Sequence, residues 1–172
     1  MEIKVLTFNI HHGKGIDGKL NLDRIAKVIE DSDADIIGLN EVDRYYSWRS
    51  GYVDQLGWLS DRLGLNHAFG ATVTLKSSKE PGAMLRQYGN ALLSRFPVVF
   101  HKNHVFDVSP RKMEGRALLE VHVLVQGQLV KMYVTHLSLN PFLRYKQTDS
   151  IINKIMNHHQ PVILLGDLNM KT

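Results

Sequence analysis

Twice along this chain an apolar run of strand length, a segment with helical spacing and a second apolar run follow one another, each run ending on a polar side chain. In the first unit Val5-Leu6-Thr7-Phe8-Asn9 leads through Leu22, Ile25, Ala26 and Ile29 to Ile36-Ile37-Gly38-Leu39-Asn40-Glu41. In the second, Met132-Tyr133-Val134-Thr135-His136 leads through Ile151, Ile152, Ile155 and Met156 to Ile163-Leu164-Leu165-Gly166-Asp167. Apolar strands alternating with amphipathic helices are the building pattern of α/β folds, in which helices cover the faces of the sheets. The echo implies two related layers packed face to face about a pseudo-twofold. Asn9, Glu41, His136 and Asp167 are then carried to the C-terminal ends of four strands.

The remaining pattern is rich in strands. Alternation and apolar runs predict strands over residues 3–10, 35–40, 67–75, 89–94, 98–106, 116–125, 129–136 and 162–165, with Gln126-Gly127-Gln128 as a hairpin turn. Asn21 caps the first helix, Gly64 ends a second built on Leu56, Leu59 and Leu63, and Asn140-Pro141 opens the third. Residues 76–87, rich in Ser, Lys and Gly, read as a mobile loop, and the stretch from Asp43 to Gln55 as a long one. The latter holds Arg44, Arg49 and several aromatics, as either a substrate-selecting loop or an ordinary solvated surface. All 172 residues read as one domain, 1–172.

With 44% hydrophobic and 22% charged residues the chain sits near the globular average, which excludes disorder, collagen-like repeats and coiled coil. The absence of cysteine excludes disulfides, thiolate zinc sites and a cysteine nucleophile, leaving nine His and the carboxylates as metal ligands. No apolar run approaches the roughly 20 residues of a membrane span. The N-terminus enters a strand directly, so a cytoplasmic protein is expected. The net charge of +4 is uneven: residues 1–87 carry −1 and residues 88–172 carry +5. A basic half suits an anionic partner such as phosphate or nucleic acid, although ordinary solubility charge produces the same pattern.

Any one of the four polar strand ends is explained by a residue that merely terminates a strand. Together they bring two carboxylates, an imidazole and an amide to the edge where α/β sheets place ligands. Carboxylates with few His and no Cys favour Mg²⁺ or Mn²⁺ over zinc, and such a set supports metal-assisted hydrolysis of a phosphate ester. His11-His12 follow the first strand and either line the site or occupy an ordinary loop. His158-His159 fall at a helix C-terminus, where the helix dipole explains them. Gly13-Lys14-Gly15 lacks the spacing of a nucleotide-binding glycine loop.

Five segments in order resemble the motifs of one family: Thr7-Phe8-Asn9-Ile10, Leu39-Asn40-Glu41-Val42-Asp43, Gly89-Asn90-Ala91-Leu92-Leu93-Ser94-Arg95-Phe96-Pro97, Thr135-His136-Leu137 and Gly166-Asp167-Leu168-Asn169. It is the endonuclease/exonuclease/phosphatase superfamily, which includes deoxyribonuclease I, apurinic endonucleases, sphingomyelinases and inositol polyphosphate 5-phosphatases. The resemblance runs from residue 5 to the C-terminus and implies a two-sheet α/β sandwich with outer helices and a site at one edge of the facing sheets. It implies that Glu41 is the carboxylate that binds Mg²⁺ or Mn²⁺, with Asn9 beside it at the metal and phosphate. His136 matches the imidazole that contacts the scissile phosphate, Asp167 the residue that orients the attacking water, and Asn169 its phosphate-holding neighbour. Asn90 and Tyr88 match the segment flanking the site on the substrate side. Arg116, after Glu114-Gly115, matches a recurring arginine whose role is either structural or phosphate-directed.

The sequence also departs from the family. There, a further Asp and a closing Ser-Asp-His segment follow the Gly-Asp-X-Asn motif, and that His is central to catalysis. Here Thr172 is three residues beyond Asn169. The resemblance therefore implies a domain incomplete at its C-terminus, with the last strands missing, an uncovered sheet edge prone to self-association, and little activity from these residues alone.

Two classes of function stay open at this point. One is a metal-dependent phosphodiesterase or phosphatase acting by water attack, of which a nuclease is a variant. The other is a non-catalytic fragment or module that keeps a phosphate cradle. The low aromatic content and the lack of a basic run give a dedicated nucleic-acid groove little support. The segment from Arg49 to Gln55 is similar to uncharacterised bacterial members. A small-molecule or lipid-linked phosphate ester is the expected partner, with nucleic acid as the alternative.

Overall fold

The computed structural model describes residues 2–76, 84–106, 115–156 and 160–170. The first apolar run forms β1 (Val5–Asn9), and the helical spacing behind it forms α1 (Leu22–Ser32), whose first turn is closed by the Asn21 side chain accepting from the Arg24 amide. β2 (Ile36–Arg44) returns parallel to β1, with Val5 opposite Ile36 and Asn9 opposite Asn40. α2 (Gln55–Leu63) begins with the Asp54 side chain accepting from the Gly57 amide and ends at Gly64 in the left-handed conformation, φ 65°. The strands β3 (Asn66–Lys76), β4 (Leu85–Ser94), β5 (Val98–Val105), β6 (Ala117–Val125) and β7 (Gln128–His136) follow. α3 (Pro141–Ile155) crosses over to β8 (Val162–Asp167), which pairs parallel to β7 with His136 opposite Asp167.

Among the described residues these strands make two four-stranded mixed sheets, in the orders β1-β2-β4-β3 and β5-β6-β7-β8. Apolar side chains alternate onto both faces of each sheet, which demands three buried layers. Ile37, Leu39 and Leu93 face Ile25, Ile29, Leu56 and Leu59 of α1 and α2. Ile36, Leu92, Leu119, Val121, Met132 and Val134 fill the space between the sheets, and Leu118 and Tyr133 meet Ile151 of α3. The result is a helix–sheet–sheet–helix α/β sandwich. Gly38 lets the layers close tightly near the parallel strand pairs, since a Cβ there would lie 2.9 Å from that of Leu165. No described helix is long and apolar enough to cross a membrane.

Several elements differ from the expectation. The strand expected to end at residue 40 continues through Glu41 to Arg44, because a bulge between Leu39 and Val42 absorbs one residue and lets pairing with β4 resume. β4 starts at Leu85 rather than at residue 89, pairing Leu85 with Lys76 and Arg86 with Leu75, so the expected loop over 76–87 shortens. Residues 77–83 of it, and His158-His159, lie outside the described residues. The β6–β7 turn is the two-residue Gln126-Gly127, with φ 48° and 83°, the left-handed pair that matches strand twist in a hairpin. α3 buries Gln147 and Ile151, while Ile152 and Met156, expected on its apolar face, are 46% and 77% exposed. The echo holds for parallel pairing and helical crossover. Among the described residues the leading strand of the first unit and the trailing strand of the second stand at sheet edges.

Candidate active site

Asn9, His136 and Asp167 end β1, β7 and β8 as their sequence pattern implies. Glu41 reaches the same place differently. It sits at the bulge within β2 with φ 61°, a left-handed conformation uncommon for a residue with a Cβ. The two sheets thus converge on one amide. Asn9 Nδ2 donates to Glu41 Oε1 at 3.0 Å and to Asp167 Oδ2 at 3.3 Å, while Asn9 Oδ1 accepts from the His11 amide at 3.0 Å. His136 Nε2 lies 3.7 Å from Asp167 Oδ2. Asp167 Oδ1 accepts the Asn169 amide at 3.0 Å, and Asn169 Nδ2 donates to the Leu137 carbonyl at 2.8 Å, so the residues after β8 fold back over the end of β7.

A buried polar lattice fixes this arrangement from below. Asn40 Nδ2 donates to Asn90 Oδ1 at 2.8 Å and to the Thr135 carbonyl at 2.9 Å, and Asn40 Oδ1 accepts the Asp167 amide at 2.9 Å. Asn90 Nδ2 and Thr135 Oγ1 both donate to the Ala117 carbonyl at 3.1 Å. Asn40, Asn90 and Thr135 are buried, and a fully satisfied buried network of this kind specifies one packing of two surfaces. Gly166 belongs to the same lattice. At φ 131° it brings the backbone against β7 so closely that a Cβ would collide with the Thr135 carbonyl oxygen.

Above the lattice opens a cavity of about 400 Å³ whose walls include His11, His12, Glu41, Arg49, Tyr88, Arg116, His136, Asp167 and Asn169. Arg49 belongs to a short turn, Trp48–Ser50, and grips the fully buried Asp43 with two hydrogen bonds of 3.0 and 2.8 Å. Its guanidinium lies over the rings of Tyr46 and Tyr88, 4.8 and 5.1 Å from their centroids. His12 is packed beside Glu41, Nδ1 to Oε2 3.8 Å. Burial, reinforced by Arg49 and His11, holds the His12 imidazole below its ordinary pKa against the opposing pull of Asp43 and Glu41. It is therefore mostly neutral at pH 7 and able to offer a lone pair.

The donor set fits a divalent cation. The carboxylates of Glu41 and Asp167 face one side of the cavity, and ligand atoms of His11, His12 and Glu41 lie within 4.8 Å of one another. His12 Nδ1 is buried and makes no hydrogen bond among the described residues.

The structure brings Glu41, His136, Asp167, Asn169, Tyr88 and Arg116 together around the cavity, with Asn9 hydrogen-bonded to two of them, Glu41 and Asp167. Asn90 lies one layer below, 1% exposed, with its amide committed to Asn40 and Ala117. Of the expected long loop, Asp43 and Arg44 belong to β2, and Arg49 reaches the cavity wall. Asn40 carries no role in the sequence reading. Its signal is a polar side chain inside the otherwise apolar run Ile36-Ile37-Gly38-Leu39, one residue before a carboxylate.

Comparison with known proteins agrees with this geometry. The family model "Endonuclease/Exonuclease/phosphatase family" matches residues 6–171. The uncharacterized protein YbhP of Escherichia coli K12 is 26% identical over 178 residues, covering 96% of this chain and 66% of YbhP. The crystal structure of an endonuclease/exonuclease/phosphatase from Beutenbergia cavernae superposes with a TM-score of 0.79 and 31% identity, over 98% of this chain and 47% of that one. A mannosyl-6-phosphatase from Bacteroides thetaiotaomicron, 16% identical, shares the fold with a TM-score of 0.70 over 99% of this chain and 67% of its own. TDP2 of D. rerio complexed with single strand DNA product, 19% identical, shares it with a TM-score of 0.65 over 99% of this chain and 62% of its own. The chain thus spans about half to two thirds of the length of these relatives. Motifs in family order, two sheets meeting at Asn9 and a family match over nearly every residue lead to one assignment: the chain belongs to the endonuclease/exonuclease/phosphatase family.

Proposed function

We propose that the protein hydrolyses phosphate esters by water attack, with a divalent cation, Mg²⁺ or Mn²⁺, held at Glu41. The observation that carries this reading is the Asn9 amide, which holds carboxylates from both sheets, Glu41 and Asp167, in the wall of a single cavity. Members of the family act on phosphate esters, and its fold is shared by a mannosyl-6-phosphatase and by a protein complexed with a single-strand DNA product.

In this reading Glu41 is the carboxylate ligand and Asn9 holds it in place, the kind of outer contact that fixes a metal ligand's orientation. A cation bound there would supply charge neutralisation on the phosphate and activation of water. Asp167 orients the attacking water through its carboxylate, whose Oδ1 accepts the Asn169 amide and whose Oδ2 accepts from Asn9. His136 and Asn169 hold phosphate oxygens beside it. Arg116 adds a cationic side chain to the wall that receives the anion, Arg49 beside it is neutralised by Asp43, Tyr88 flanks the bound ester, and Asn90 acts through Asn40. The phosphorus–oxygen bond to the leaving group breaks as the water oxygen bonds to phosphorus, with Asp167 drawing the proton from the water and solvent protonating the leaving oxygen.

A small or lipid-linked phosphate ester suits this site better than a nucleic acid. The cavity is about 400 Å³, and Tyr46 and Tyr88 at its wall are covered by Arg49 rather than open as a stacking platform for bases. The test is hydrolysis of a panel of phosphomonoesters and phosphodiesters by the natural polypeptide, stripped with EDTA and reloaded with Mg²⁺ or Mn²⁺. Loss of turnover on stripping and recovery on reloading is expected. Turnover indifferent to EDTA contradicts the reading.

β8 has no partner on its outer side among the described residues, and Leu164 on it is 38% exposed. An open strand edge templates pairing between chains, so the 172-residue chain is expected to self-associate. Sedimentation velocity over a range of concentrations checks this, and a single monomeric species throughout contradicts it.

A further inference from the structure

We propose that His12 supplies an imidazole ligand, through Nδ1, to the cation held at Glu41, so that the site selects a first-row transition cation such as Mn²⁺, Co²⁺ or Zn²⁺ over Mg²⁺. This inference rests on the reading of Glu41 as the metal carboxylate.

Three independent observations converge on it. The first is an unspent donor. The His12 side chain is 12% exposed, yet its Nδ1 makes no hydrogen bond among the described residues. A buried polar atom without a partner is destabilising and in a native structure calls for a ligand or ion. The second is proximity. Nδ1 lies 3.8 Å from Glu41 Oε2, and ligand atoms of His11, His12 and Glu41 all lie within 4.8 Å. Zinc-like cations bind imidazole nitrogen and carboxylate oxygen at roughly 2.0–2.2 Å, so two donors on one ion stand up to about 4 Å apart. An ion between His12 and Glu41 therefore needs little movement of either.

The third observation is the backbone that aims the ring. His11, His12 and Gly13 are consecutive left-handed residues, with φ 45°, 44° and 80°. Such a run is strained for residues with a Cβ and persists only when its surroundings impose it. Here they do. The buried Gln55 donates from Nε2 to the His12 carbonyl at 2.7 Å and accepts the Asp43 amide through Oε1 at 3.0 Å. Asn9 Oδ1 accepts from the His11 amide, tying the turn to the side chain that also holds Glu41. At Gly13 a Cβ would stand 2.9 Å from Leu20. A turn pinned at its start, middle and end serves to present His12 to the carboxylate.

The chemical consequence is selectivity. Mg²⁺ takes oxygen donors almost exclusively, whereas imidazole nitrogen raises affinity for Mn²⁺, Co²⁺ and Zn²⁺ in the usual order of first-row ions. Carboxylates alone favour a hard ion, and the fold adds an imidazole to them.

The test measures binding, independent of turnover. Calorimetric titrations with MgCl₂, MnCl₂, CoCl₂ and ZnCl₂ are run on the wild-type chain, His12→Asn and Glu41→Gln, with circular dichroism melts as a folding check. Asn tolerates the left-handed conformation, so His12→Asn keeps the turn. The wild type is expected to bind Co²⁺ and Zn²⁺ at least about tenfold more tightly than Mg²⁺. His12→Asn should lose about tenfold or more for Co²⁺ and Zn²⁺ and leave Mg²⁺ within about threefold. Pulsed electron paramagnetic resonance of the wild-type Mn²⁺ complex should show coupling to an imidazole nitrogen, absent in His12→Asn. A wild-type complex without nitrogen coupling, or equal losses for Mg²⁺ and Co²⁺ in His12→Asn, overturns the proposal. Undiminished binding of every cation by Glu41→Gln instead overturns the reading of Glu41 on which it stands.

Discussion

Asp167→Asn is expected to lower kcat in the natural polypeptide by about 100-fold or more, because a positioned carboxylate that takes part in proton transfer contributes roughly 10²–10⁴ in rate. The substitution keeps shape and hydrogen-bonding capacity on one side: the Asn169 amide still finds an acceptor in place of Oδ1. On the other side it is not neutral. Asp167 Oδ2 accepts from Asn9 and faces His136, and an amide nitrogen there presents hydrogens to both the water and the Asn9 donor. His136→Ala is expected to act through the phosphate instead, removing a donor worth on the order of 3 kcal/mol at the transition state. Single-turnover hydrolysis with saturating Mn²⁺ measures both. Turnover within threefold of wild type in either variant contradicts the assigned roles.

Asn40→Leu is expected to destabilise the fold by about 3 kcal/mol or more, since it strips partners from several buried polar groups at about 1–3 kcal/mol each. Those groups are the Asp167 amide, the Thr135 carbonyl and Asn90 Oδ1, and they belong to both sheets. Leucine branches at Cγ as asparagine does and leaves no void, but it is bulkier, so overpacking at this fully buried position adds to the lost hydrogen bonds. For a chain of this size the melting temperature should fall by roughly 6–12 °C. The variant should also bind cations more weakly, because Asp167 loses the anchor that holds its backbone. A calorimetric melt paired with an Mn²⁺ titration checks both, and a shift under about 3 °C contradicts the view that Asn40 joins the sheets.

What was legible in the sequence follows from what each residue contributes locally. Asn9, His136 and Asp167 close apolar runs, and a polar residue after a buried strand marks both the strand end and the sheet edge. The caps Asn21, Asp54 and Asn140 and the stop at Gly64 act within one turn of chain, so helix starts and stops were readable. Glu41 was readable as a site carboxylate but not as a bulge. The extra residue exists because pairing with β4 resumes at Val42, whose partner Gly89 is 47 positions away in sequence. Asp43 looked like the start of a loop because a charged residue seldom continues a core strand. Its burial is made possible by Arg49, six residues on, and by the Gln55 side chain on its amide. Gln147 took a place on the buried face of α3 expected for isoleucines, because it satisfies the Ser138 amide at 2.9 Å. In each case the hidden term is a long-range hydrogen bond or ion pair that pays for a polar group where periodicity expects an apolar one, or the reverse.

We propose that Glu41, placed in the cavity wall by the bulge in β2, holds a divalent cation in a site suited to phosphate esters. Titration of Mn²⁺ into the wild-type chain and into Glu41→Gln tests it most directly, because glutamine preserves the bond from Asn9 and removes only the charge. One strong site in the wild type and a loss of about tenfold or more in affinity in Glu41→Gln are expected, with both chains melting alike. Equal affinity in the two chains would contradict it.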